Sequence, residues 1–212
     1  MSKRDQYRDK AAGWSDSEYA DGRTYLDRRA ELVLSLGPRL QPGDEVLDLA
    51  CGDGGLGASL LARGVRYRGV DSTSEMVAAA QSRLGEDVVV ELGDLNDYAP
   101  PAPVAATTVF RAIYYARDRR AFFARAAGYT ATKLVFDLNP RQYRVADVVA
   151  DLRAAGLDDV ALRPFFVPQR VALPRALVWL LRLAERTGPL ARLALRFRFT
   201  YLVAASRSRA SG

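Results

Sequence analysis

An α/β fold, with a parallel sheet covered by helices on both faces, is what this sequence predicts. Three observations carry the prediction. From residue 45 onward, short apolar and β-branched runs alternate with stretches of helical period. Glycines and prolines stand at the junctions between them. The first apolar run leads straight into a glycine-rich turn that opens a helix.

Taken in order, residues 15–36 read as a helix. Ser15 or Ser17 would cap it, and Leu26, Ala30, Val33 and Leu34 form its apolar stripe. Gly37, Pro38, Pro42 and Gly43 break the chain before a strand that starts near Glu45 and runs over Val46–Leu49. A helix over Gly55–Arg63 stops at Gly64. A second strand covers Tyr67–Asp71, and a helix over Ser74–Leu84 follows, with Ser74 as its cap and Gly85 as its stop. Val88–Leu92 is a third strand, rich in β-branched residues. Three prolines between Tyr98 and Pro103 mark a loop, and Ala105–Phe110 is the fourth strand. Asp118 caps a helix that runs to about Ala127, Leu134–Leu138 is the fifth strand, and a helix over Val145–Ala155 ends at Gly156. Val160–Val167 is the sixth strand. A helical stretch from Pro174 to about Leu195, interrupted at Gly188–Pro189, separates it from a seventh over Arg198–Ala204. In sheets of this kind, ligands sit at the carboxyl ends of the strands, where the winding direction switches.

Composition narrows the function. At 212 residues and 49% hydrophobic, the chain makes one domain, or one domain with an appended lid. No uncharged apolar run is long enough for a spanning helix, and the first residues lack the apolar segment of a secretory signal. Cys51 is the one cysteine, so the chain holds no internal disulfide and no thiolate cluster for zinc, and a cytoplasmic location is expected. There is no histidine, which excludes Ser-His-Asp and Cys-His catalysis and imidazole metal sites; no metal site is expected. Charge is uneven. From Val160 onward ten arginines face one acid, Glu185, giving +9 and leaving −3 of the total +6 to residues 1–159. A basic segment of this kind serves either as a solvated helix face or as a contact for an anionic partner or membrane surface.

The segment that carries the chemistry is Glu45-Val-Leu-Asp-Leu-Ala-Cys-Gly-Asp-Gly-Gly-Leu-Gly57, in which Gly52, Gly54 and Gly57 have the spacing G-x-G-x-x-G. By itself the spacing says only that backbone approaches a ligand closely at a helix N-terminus. The charges around it select the ligand. Asp48 ends the strand and Asp53 lies in the turn. Each carboxylate, a few ångströms from a pyrophosphate, would oppose it by about 1 kcal/mol or more. A ligand with an ammonium and a sulfonium, and no phosphate, gains instead. Asp71, at the end of the second strand, suits the vicinal hydroxyls of a ribose. Asp94, after the third, suits an adenine amino edge, with Met76 and Leu95 on the two ring faces.

On these residues the chain resembles the class I S-adenosylmethionine-dependent methyltransferases over roughly Gln41 to Val203. VLDLACGDG looks like the family's first motif, GVDST its ribose-binding acid, ELGDLND its adenine-reading acid, and VFRAIYYARD its fourth-strand segment beside the methyl group. The resemblance implies a Rossmann-like seven-stranded sheet, mostly parallel with an antiparallel last strand. It also implies S-adenosyl-L-methionine as cofactor, with S-adenosyl-L-homocysteine as product. Cofactor contacts are expected at Tyr25, Asp48, Ala50, Cys51, Gly52, Gly54, Asp71, Ser72, Met76, Asp94, Leu95, Phe110 and Arg111. The chain departs from the family in two places: Val104-Ala105-Ala106 opens the fourth strand without an acid, and tyrosines stand where the family often has histidine.

The acceptor is the open question. Without histidine, the candidates for a catalytic base are Asp137 at the end of strand five and Tyr114 or Tyr115 after strand four. A tyrosine with an ordinary pKa near 10 is a poor base at neutral pH, so the tyrosines shape the pocket. No N-P-P-Y motif and no basic aromatic platform occurs, and the negative balance of residues 1–159 disfavours nucleic acid. Residues 1–40, with Tyr7, Trp14, Tyr19 and Tyr25, read as a helical lid over a cofactor-binding domain at 41–212. A helical insertion at about 168–196 completes the acceptor pocket. Arg175, Arg182 and Arg186 share one side of its first helix beside Trp179, with a wide apolar face of Leu177, Leu180, Leu181 and Ala184, so 174–198 is also a candidate peripheral membrane or lipid contact. The expected activity is methyl transfer to a small, apolar acceptor. The alternatives are RNA, DNA or protein methylation through the basic C-terminal region, and a cofactor-binding module without catalysis.

Overall fold

The computed structural model describes residues 22–166, 174–185 and 200–208. In chain order these form α1 (Gly22–Ser35), β1 (Glu45–Leu49), α2 (Gly55–Leu61), β2 (Arg66–Asp71), α3 (Ser74–Leu84), β3 (Val89–Leu92), β4 (Val104–Val109), α4 (Arg119–Tyr129), β5 (Thr130–Leu138), α5 (Val145–Ala154), β6 (Asp159–Phe165), α6 (Arg175–Ala184) and β7 (Thr200–Ser206). The strands build one seven-stranded sheet in the order β3-β2-β1-β4-β5-β7-β6. Pairings are parallel from β3 through β5, whereas β7 runs antiparallel to both β5 and β6. The alternation read from the sequence thus yields the expected α/β sheet with an antiparallel last strand, here inserted between β5 and β6.

Burial explains the strand compositions. Val46, Leu47 and Leu49 of β1 are wholly buried, because this central strand is covered on both faces. One core cluster joins Val46, Leu60 and Tyr67 to Leu32 and Val33 of α1; the other joins Leu47 and Leu49 to Phe122, Phe123, Phe136 and Leu152. At the sheet edge, β3 leaves Val89 and Leu92 exposed. After β3 the chain crosses back over β1 to form β4, so the winding reverses between β1 and β4. That reversal opens a crevice at their carboxyl ends.

Several expected boundaries move, for identifiable reasons. β5 starts at Thr130 rather than Leu134, and Lys133 lies inside it, wholly buried. A lysine argues against a core strand, but this one turns its ammonium onto the Leu36 and Leu34 carbonyls at 2.7 and 3.3 Å. It thereby satisfies acceptors at the C-terminus of α1. Burial lowers its pKa to about 8. Ser74 is not the cap of α3; Thr73 holds that position without a side-chain cap bond. Asp118 caps α4 as expected, accepting from the Ala121 amide at 3.0 Å. A short 3-10 turn at Ile113–Tyr115, not anticipated, follows β4. Ser15, Ser17, Tyr7, Trp14, Tyr19 and Gly188–Pro189 lie outside the described residues, as do most of the expected insertion and parts of the expected sixth and seventh strands.

Candidate active site

A cavity of about 320 Å³ opens where β1, β2, β3 and β4 end, a volume in the range that holds small ligands. The three strand-tip acids, Asp48, Asp71 and Asp94, all line it.

Each acid is held differently. Asp48 is buried, and its oxygens accept from the Tyr67 hydroxyl at 2.8 Å and the Thr108 hydroxyl at 2.6 Å. Burial raises its pKa to about 6, against the pull of those two hydroxyls and of Arg29. Asp71 accepts from the Gly52 amide at 2.9 Å and the Thr73 amide at 3.1 Å, and burial raises its pKa as well. An ionised carboxylate offers about four acceptor positions, so lone pairs remain for hydroxyls arriving from the cavity. Asp94 Oδ1 accepts from the Asn96 amide and side chain at 2.8 and 2.7 Å, and Arg117 lies 3.8 Å from its other oxygen.

Backbone strain concentrates on the same wall. Ala50 and Arg111 are the only non-glycine residues at positive φ among those described, at 61° and 56°, and both line the cavity. A left-handed conformation opposes an L residue by roughly 1–2 kcal/mol and persists only where neighbours enforce it. Arg111 is enforced by Asp137, whose Oδ1 accepts its amide at 2.7 Å. Beyond Ala50, the Cys51 and Gly52 amides bond the Val70 carbonyl and Asp71, tying the turn to β2.

The three motif glycines do different work. A Cβ at Gly52 would meet nothing within 4 Å, so this residue leaves open space on the cavity side. A Cβ at Gly54 would press Leu84 at 3.0 Å and Ala80 at 3.2 Å, and one at Gly57 would strike the Tyr67 ring at 2.7 Å. Those two glycines let α2 pack closely on α3 and β2, and Gly54 is not part of the cavity lining, although Asp53 and Gly55 on either side of it are.

The structure therefore brings together Asp48, Ala50, Cys51, Gly52, Asp71 and Ser72 from the first two strand ends. It adds Met76, Asp94, Leu95, Phe110 and Arg111 from the following segments. It leaves out Tyr25, which is buried beneath the wall, edge-on to Phe165 at 5.1 Å and accepting from Arg29 at 2.7 Å. Of the base candidates, Tyr115 lines the cavity. Tyr114 does not; it packs on the Tyr115 ring at 4.4 Å. Asp137 is also absent from the lining, because its carboxylate is engaged by Arg29 at 3.2 Å and by the Arg111 amide. Asp53 needs correction too. It is ion-paired with Arg83 at 3.0 Å and accepts from the Gly55 amide, so it repels an anion less than its position in the turn suggests. Asp48 carries that argument alone.

Arg29 is the main lining residue that sequence reasoning missed, with Leu26 beside it. Its guanidinium stacks 4.3 Å from the Phe110 ring and 4.8 Å from that of Tyr25. The signal was present: position 29 is three residues after Leu26 and four before Val33, on the inward stripe of its helix. Asn96 and Arg117 were also missed; they reach the cavity mouth through the loops after β3 and β4.

The description "Methyltransferase domain" belongs to the family model that matches residues 46–133. No curated protein matches the sequence. Among solved structures, the chain is similar to magnesium protoporphyrin IX methyltransferase from Synechocystis PCC 6803 with bound S-adenosylmethionine. The identity is 17% and the TM-score 0.63, with 98% of each chain covered. A TehB-like S-adenosylmethionine-dependent methyltransferase from Corynebacterium glutamicum is 16% identical at a TM-score of 0.64, covering 96% of this chain and 98% of that one. A chain in the complex that contains the Haloferax volcanii Trm112 methyltransferase activator is 21% identical at a TM-score of 0.64, covering 97% of this chain and all of the other. Residues 46–133 thus match a methyltransferase domain, and the likeness to these structures shows that the chain as a whole shares their fold.

Proposed function

We propose that this chain is a class I S-adenosylmethionine-dependent methyltransferase acting on a small, largely apolar acceptor, and that the cavity's own residues hold the cofactor as follows. Asp48, ionised at neutral pH and facing the cavity, takes the cofactor's ammonium. Arg29, a cation in the cavity lining, favours its carboxylate. Asp71 takes the ribose hydroxyls, Asp94 the adenine edge, and Met76 and Leu95 the ring faces. The observation that carries this reading is a buried carboxylate, Asp48, at the glycine turn, where a pyrophosphate would meet like charge.

S-Adenosylmethionine supplies an already activated methyl group on a positive sulfur, so the protein's task is positioning and exclusion of water. Phe110, Arg111 and Tyr115, from the segment that follows β4, form the wall nearest the fourth strand and set the approach of the acceptor. Asp137 acts through Arg111, holding the backbone of that wall, and is a positioning residue rather than a base. Tyr115, 40% exposed at the mouth, is a wall residue too. The acceptor then brings a nucleophile that needs no strong base, such as an unprotonated amine or an acidic hydroxyl. The lid at residues 1–40 and the insertion at about 168–196 complete the acceptor side, and an acceptor of lipid character would be met through 174–198. One similar solved structure, 21% identical at a TM-score of 0.56, is a geranyl diphosphate methyltransferase in complex with GPP and sinefungin.

Isothermal titration of S-adenosylmethionine tests the cofactor half: Asp71→Ala weakens binding at least tenfold if the ribose assignment holds, and unchanged binding removes it. Incubation with labelled cofactor and fractionated small-molecule extract tests the acceptor half. Label appearing only in protein or nucleic acid would overturn it.

A further inference from the structure

We propose that the outer face of α6 is a docking surface for an anionic lipid bilayer. The helix has two unlike sides. Val178 is buried, and Glu185, just past the helix end, is buried in an ion pair with Arg28 of α1 while accepting from the Phe166 amide at 3.3 Å. Arg182 lies 3.9 Å from Glu31. At about 100° per residue, Val178, Arg182 and Glu185 share one side, and that side is fastened to the body. The opposite side carries Leu177, Trp179, Leu180 and Leu183, which are 41%, 63%, 51% and 48% exposed. A folded protein rarely leaves so many large apolar side chains together in water without a use for them.

Charge selects the occupant. The chain from Val160 onward contains ten arginines and one acid. That acid, Glu185, is neutralised by Arg28 and withdrawn from the surface. An apolar helix face within a sequence stretch of net charge +9 complements a surface of negative head groups over acyl chains. Trp179, the most exposed large side chain of this face, suits the head-group boundary, where an aromatic body and a polar N–H are both accommodated. The helix is ten residues long, and no described helix is long and apolar enough to cross a membrane, so α6 lies in the plane of the interface. The contact is independent of the cofactor assignment.

The test uses the full chain carrying Trp14→Phe, which leaves Trp179 as the one tryptophan, with vesicles of phosphatidylcholine alone or mixed with phosphatidylglycerol. The expected result is co-sedimentation with the mixed vesicles and not with the neutral ones, weakened by added salt. Trp179 emission should shift to shorter wavelength only when mixed vesicles are added. The pair Trp179→Ser and Leu180→Ser, both on the outer face, should weaken sedimentation by about tenfold or more while circular dichroism and the melting curve stay unchanged. The proposal is overturned by equal binding to both vesicle types, by no binding to either, or by full binding of a folded double variant. It is likewise overturned if Trp179 emission is already blue-shifted without lipid, which would mean that the chain itself or a second copy covers the face. Should the double variant not fold, the emission of Trp179 in the single-tryptophan protein still decides.

Discussion

Arg29 and Asp137 lie 108 positions apart in sequence, yet the guanidinium of one stands 3.2 Å from the carboxylate of the other. The other oxygen of that carboxylate holds the Arg111 amide at 2.7 Å. A helix before the sheet, the fifth strand and the loop after the fourth are thereby locked around one wall of the cavity.

Removing that lock tests whether Asp137 positions or catalyses. Asp137→Ala leaves a buried guanidinium without its carboxylate and frees Arg111 from its strained φ, so it should lower stability by about 3 kcal/mol in urea denaturation. Asp137→Asn keeps an oxygen for the Arg111 amide and should recover part of that loss. If Asp137 only positions, the asparagine variant keeps a measurable kcat with an unchanged pH profile. An inactive but fully stable and cofactor-competent Asp137→Asn protein would make it the base.

Affinity for S-adenosylmethionine should depend on pH through Asp48. The carboxyl is held at about 6, above its ordinary 3.8, by burial. Below about 6 it is protonated in the free protein and loses its attraction for an ammonium. Binding should therefore weaken by up to about tenfold per pH unit on acidification from 6 to 5. Asp48→Asn should bind weakly with this part of the pH dependence gone.

The same group has an opposite effect on folding. Its folded pKa exceeds its unfolded one, so the folded state holds the proton more tightly between pH 4 and 6, and stability from this group falls as pH rises through that window. At pH 7 Asp48→Asn should consequently melt higher than the parent, by an amount equivalent to about 1–3 kcal/mol. A lower melting temperature would show that the hydrogen bonds from Tyr67 and Thr108 outweigh the buried charge.

Lys133 sets a second pH signature. Its folded pKa of about 8 lies below the ordinary 10.5, so between these values the unfolded chain binds more protons. Stability from this group rises with pH across that window and is flat below it. The stability of the parent relative to Lys133→Met should climb by up to about 1.4 kcal/mol per pH unit from pH 8 to 10, read from urea melts. The neutral amine still donates to the Leu34 and Leu36 carbonyls, so those bonds survive the titration.

Gly52→Ala and Gly54→Ala form a matched pair, since both positions have positive φ, 58° and 75°. Each alanine should lower stability by roughly 1 kcal/mol from backbone strain. Gly54→Ala should lose more, because its Cβ presses Leu84 and Ala80, with cofactor affinity little changed. Gly52→Ala should mainly weaken cofactor binding in titration calorimetry, because its Cβ enters the open space at the cavity.

Much of this molecule follows from patterns a few residues long. The alternation of strands and helices, the turn after Leu49, the cap at Asp118 and the acids at the ends of β1 and β2 are local features, and local features are written in spacing and residue type. The strand order, the insertion of β7 between β5 and β6, the ion pair of Arg83 with Asp53 and the burial of Lys133 are different in kind. Each depends on which distant segment arrives opposite a given side chain. A charge such as Asp53 or Asp137 looks the same in the chain whether it meets a ligand or an arginine. Only packing, which brings Arg83 to one and Arg29 to the other, decides that both are ion-paired within the protein.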